Sequence, residues 1–65
     1  MNWEPTTGEV YWYINGMGRV VGDRYDNGCY QDNDRYEFGN CFKTKELAEG
    51  AAKKIKRILN ALEHD

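Results

Sequence analysis

Sixty-five residues limit the chain to one small domain. Nine Lys/Arg against eleven Asp/Glu leave a net charge of −2, which excludes the bulk electrostatic signature of a nucleic-acid or anionic-membrane binder. Two cysteines and one histidine fall short of a four-ligand structural zinc site, and no stretch approaches the roughly 20 apolar residues of a membrane span.

A domain of this size buries only about 60% of the surface of its unfolded chain, so its core must be dense. The rings supply that density: Trp3, Tyr11, Trp12, Tyr13, Tyr25, Tyr30, Tyr36, Phe38 and Phe42. A ring buries roughly 150–250 Å², so a few replace many aliphatics. Charge is unevenly placed. Residues 1–42 carry three basic and seven acidic groups, a net of −4; residues 43–65 carry six basic and four acidic, a net of +2.

In chain order, residues 1–8 read as a lead-in punctuated by Pro5 and Gly8, from which Trp3 folds back onto the core. They show no basic segment followed by an apolar run, so a secretory leader is not expected. The expected compartment is the cytosol, with Cys29 and Cys41 as free thiols. Residues 9–14, EVYWYI, are β-branched and aromatic with period-two sorting. Val10, Trp12 and Ile14 lie on the expected core face; Tyr11 and Tyr13 lie on the other. Residues 15–18, NGMG, turn the hairpin. A tight Asn15-Gly16 turn sets Trp12 opposite Arg19, whereas a longer loop with Gly18 left-handed sets Trp12 near Val21. The longer loop is preferred because it matches apolar with apolar. A second strand over 19–25 follows, with Gly22 as a bulge or close-approach point.

Residues 26–34 read as a polar acidic loop. It echoes a calcium loop from Asp23 to Asp34, but Tyr25 stands at the third ligand position and the last ligand is not glutamate. No metal and no cofactor are expected. Residues 35–38 read as a third short strand, with Tyr36 and Phe38 on one face, and Gly39-Asn40 turn the chain out of it. Thr44 then caps a helix over 44–62. Its apolar stripe runs through Leu47, Ala48, Ala51, Ala52, Ile55, Ile58, Leu59 and Leu62. Lys53, Lys54, Lys56 and Arg57 fall on its outer side. The expected architecture is a single α+β domain over 1–65: a three-stranded antiparallel sheet (β-β-β, within 9–38) and one C-terminal helix covering one sheet face.

Arg35, Gly39, Asn40, Phe42, Thr44 and Glu46 form a block, Arg-x-x-x-Gly-Asn-x-Phe-x-Thr-x-Glu, set after an aromatic hairpin. This arrangement resembles small phage and prophage proteins, over roughly residues 9–59. The family form carries Glu-Glu-Ala-Glu where this chain has Glu46-Leu47-Ala48-Glu49, which removes the reciprocal carboxylate of a capping box. The resemblance implies a mobile-element gene acting in a bacterial cytoplasm. By analogy with anti-CRISPR proteins it implies inhibition of host defence machinery by protein contact.

The residues themselves point away from catalysis. No Ser/His/Asp or Cys/His set is present, since the single histidine, His64, stands next to the last residue, and no glycine loop leads into a helix that could cradle phosphate. A protein partner is the leading expectation, met by Tyr11, Tyr13 and Tyr25 on an open sheet face and by Asp26, Asp32 and Asp34 in the acidic loop. The alternatives are a nucleic-acid accessory module using Lys53, Lys54, Lys56 and Arg57, and a structural homodimer that covers the open face.

Overall fold

The computed structural model describes residues 3–63; His64 lies outside them. The elements are β1 (Val10–Ile14), β2 (Val20–Arg24), α1 (Tyr30–Phe38) and α2 (Lys45–Glu63). Among the described residues the domain is α+β, with a two-stranded antiparallel sheet and two helices. This corrects the expectation of three strands and one helix: residues 35–38, expected as the third strand, lie within the helix Tyr30–Phe38.

The hairpin pairs Tyr13 with Val21 and Ile14 with Val20, across a five-residue loop whose Gly18 has φ +81°. The longer loop is thus the one formed, but one residue further out than expected, so Trp12 faces Gly22. That pairing has a steric cause. A Cβ on Gly22 would stand 2.8 Å from the Trp12 ring, so the indole lies where a side chain would be.

Helix α1 forms for reasons that apolar periodicity does not register. Asp32 stands in its first turn, favoured by the helix dipole. Gly39 ends it at φ 92°, donating to the Tyr36 carbonyl at 3.0 Å while the Asn40 amide reaches the Arg35 carbonyl at 2.8 Å. Helical spacing puts Asp32, Arg35 and Tyr36 on one side, and that side covers the face of β1 that carries Tyr11 and Tyr13. A strand over 35–38 would have carried only two of these groups. Phe38, expected in the core, is 89% exposed.

The free edge of β1 is closed without a third strand. Phe42 pairs with Trp12 through two backbone hydrogen bonds of 2.8 and 2.9 Å. Two residues along, the Asn40 side chain substitutes for backbone: its Oδ1 accepts from the Ile14 amide at 2.8 Å and its Nδ2 donates to the Ile14 carbonyl at 2.7 Å. The Gly-Asn-x-Phe block therefore ends one helix and plugs the sheet edge.

Helix α2 is found as expected, with the Leu47 amide donating to the Thr44 hydroxyl at 3.2 Å. Ala48, fully buried, and the half-buried Ala51 and Ala52 let it approach the opposite sheet face closely. Lys45 stands 6.0 Å from the centre of the Trp12 ring. The sheet is thus covered on both faces, α1 on one and the first half of α2 on the other. The second half of α2 runs past the sheet and gives the molecule its long dimension, 41 Å against 23 and 22 Å.

Candidate functional site

The residues expected to form an open tyrosine face are brought together, but inside the molecule. Tyr11 is wholly buried and Tyr25 is 6% exposed. The Tyr11 hydroxyl donates to Asp32 Oδ1 and accepts from Arg35 Nη1 at 2.8 Å. Arg35 also pairs with Asp32 at 3.2 Å and lies 3.7 Å above the centre of the half-buried Tyr13 ring. The second Asp32 oxygen takes the Asp26 amide at 2.9 Å. Tyr25 packs edge-on to Tyr11 with ring centres 5.7 Å apart, and its hydroxyl donates to Asn33 Oδ1 at 2.6 Å. Every buried polar side-chain atom among the described residues has a partner.

Burial, reinforced by the hydrogen bond to Asp32, raises the Tyr11 phenol far above the ordinary tyrosine value. Burial likewise raises Tyr25, and it pushes the Cys41 thiol up to about 11, with the Asp32 charge adding to it. These are groups held neutral at ordinary pH, a state suited to packing rather than to proton transfer or nucleophilic attack. The cluster is the polar centre of the core.

Asp26 is exposed but helps form the turn into α1: its Oδ1 accepts the Gly28 amide at 2.9 Å. Asp34 is exposed on the outer side of α1 and alone of the three acids has no hydrogen bond or ion pair of its carboxylate among the described residues. Of the expected partner-binding residues, Tyr11, Tyr25 and Asp32 are therefore interior, Tyr13 lies beneath Arg35, and Asp26 is tied into a turn. The face foreseen as open is covered because α1 exists.

Exposed apolar surface occurs elsewhere. The stripe of α2 keeps the same side along its whole length, but the sheet ends before the helix does. Ile58 is 59% exposed, Leu59 60% and Leu62 65%. Ile14 and Ile55 both line two grooves. One is walled by Met17 and Leu59, the other by Phe38 and Phe42. Lys53, Lys54, Lys56 and Arg57 are all exposed around this stripe, and Lys53 and Lys56 border the first groove. None is in a salt bridge among the described residues. The stripe was legible in the sequence. What was not legible was that only its first half meets the sheet, which follows from a sheet of two short strands instead of three.

No family model, no curated protein and no solved structure matches the chain. Among the described residues no three of His, Cys, Asp and Glu converge as metal ligands, and no helix is long and apolar enough to cross a membrane.

Proposed function

We infer that this chain is a small non-enzymatic binding module that acts by protein–protein contact through the projecting half of α2. One observation carries this reading: Ile55, Ile58, Leu59 and Leu62, large aliphatics on one helix face, are left largely uncovered in a domain whose interior is very small. Apolar anchors ringed by Lys53, Lys54, Lys56 and Arg57 have the form of a helix-in-groove interface. The resemblance to small phage proteins supplies a setting, the inhibition of a host defence or nucleic-acid-processing complex. The tyrosine face of the sheet takes no part in it.

The test uses Ile58→Glu with Leu62→Glu, which alters the exposed stripe and spares the core. In a bacterial host with an active nucleic-acid-targeting defence, expression of the chain is expected to restore plating of a targeted phage at least ten-fold. The double variant, folded by circular dichroism, should not. Equal protection by both proteins removes α2 from the function, and no protection by either removes the counter-defence role.

A second reading, a nucleic-acid accessory module, draws on the exposure of the four basic residues on one projecting half-helix. Binding to a short duplex should then weaken steeply between 50 and 200 mM salt, with a slope set by the phosphates neutralised, about 0.9 per contact. Affinity absent at both salt concentrations removes this reading.

A further inference from the structure

We propose that the occupant of the exposed α2 face is a second copy of this chain, each copy seating its projecting α2 in the notch of the other about a two-fold axis. The proposal rests on the protein-contact reading and names its partner.

The shape of the surface is the first argument. Ile14 and Met17 of the body and Ile55 and Leu59 of the helix line the two walls of one groove, the notch, and Phe38 lines the neighbouring groove with Ile14 and Ile55. A flat surface such as a bilayer cannot touch both walls at once. A rod of helix diameter can. The periodicity is the second argument. Ala48, Ala51, Ile55, Ile58 and Leu62 follow spacings of 3, 4, 3 and 4, which is the seam that packs one helix along another. The first two positions are spent on the sheet and the rest are open.

Charge then selects the partner. The body, residues 1–42, carries a net −4 and residues 43–65 a net +2. On α1 the exposed Asp34 and Glu37 precede Phe38, which lines the neighbouring groove. An incoming helix that is apolar on one side and basic on its flanks suits that wall, and α2 is such a helix. A two-fold arrangement satisfies both notches at once with the same residues. The area is sufficient: Met17, Phe38, Ile55, Ile58, Leu59 and Leu62 together expose on the order of 800 Å², the share that each partner gives to a standard interface. Domains this small commonly need such association to offset their limited cores.

Sedimentation equilibrium from about 1 µM to 1 mM decides the matter, with thermal unfolding over the same range. The expected mass rises with concentration from 7.6 kDa to twice that value. The unfolding midpoint should climb by roughly a few degrees per ten-fold increase in concentration, because association stabilises by mass action. Ile58→Glu with Leu62→Glu should remain at 7.6 kDa throughout with unchanged circular dichroism and a concentration-independent midpoint. A parent chain that stays monomeric at 1 mM overturns the proposal, as does a dimer that survives the double substitution. If the parent is monomeric while the double variant still loses phage protection, the second copy is excluded and the protein-contact reading stands.

Discussion

Tyr11→Phe isolates one oxygen atom. The ring stays, so its packing on Tyr25 and Tyr13 is kept. What is lost is the hydroxyl that donates to Asp32 and accepts from Arg35 at 2.8 Å. Hydrogen bonds to charged groups contribute about 1.5–3 kcal/mol each. The two losses do not simply add, because Asp32 retains the Asp26 amide at 2.9 Å and Arg35 at 3.2 Å, and Arg35 is 26% exposed and can turn to water. A net loss of about 2–3 kcal/mol follows from the charged-group value once those remaining partners are counted. In a chain of this length that lowers the thermal midpoint by roughly 8–24 °C. Urea unfolding followed by circular dichroism should show a lower midpoint with an unchanged slope. Tyr13→Phe is the control, since no hydrogen bond of its hydroxyl is found among the described residues, and it should fall within about 0.5 kcal/mol of the parent. Tyr11→Phe and Asp32→Asn together should be non-additive by at least about 1 kcal/mol. If Tyr11→Phe matches Tyr13→Phe, the hydroxyl is not in a buried network, and the tyrosine face is open after all.

Asn40→Ala should destabilise by about 1–3 kcal/mol, since the Ile14 amide and carbonyl both lose their partner at a partly buried edge, and hydrogen exchange at Ile14 should rise correspondingly. Gly22→Ala brings a methyl group against the Trp12 ring and should cost about 1–3 kcal/mol in urea unfolding, a loss that a smaller residue at position 12 relieves in the double variant. Stability should be level from pH 7 to about 8.5 and decline above that. Tyr11 and Cys41 are both acids whose folded values lie above their unfolded ones, so the folded chain holds protons that the unfolded chain releases. The decline therefore begins near the unfolded thiol value of 9.0 and continues upward through about 11 for Cys41, with the phenol adding from 10.0. Over the same range a disulfide-exchange reagent should modify the half-buried Cys29 rapidly and Cys41 only on unfolding.

The parts of this fold that follow from repeating apolar spacing were legible in the sequence. Residues 10–14 alternate and pair as a strand, and the three-and-four spacing from Leu47 to Leu62 is a helix with Thr44 at its start. Helix α1 was not legible because its inward side is polar. Asp32 and Arg35 face the core only because Tyr11 supplies a hydroxyl between them, a relation across 21 residues that local pattern does not contain. Tyr36 and Phe38 mimic strand alternation over too few residues to fix a period. The site shifted for the same reason. Once residues 30–38 cover the tyrosines, the uncovered apolar surface has to be where the sheet runs out beneath α2. Lys53 and Lys56, which the sequence places on the outer side of the helix, then border the candidate interface. Gly39, Asn40 and Phe42 could be read as turn and plug, but the use of an asparagine amide as a stand-in for a strand depends on where Ile14 ends.

That stand-in makes the sheet one-sided. Asn40 and Phe42 occupy the outer hydrogen-bonding positions of Ile14 and Trp12, while among the described residues β2 has no neighbour beyond it. Templated strand growth needs two available edges on every unit, one to accept and one to extend. A unit closed on one side can take a single strand against β2 and then stops. With Asp23 and Arg24 exposed on that remaining edge to discourage even this, the asparagine plug acts as a chain terminator against fibrils, built into a domain too small to hide its edges behind further strands.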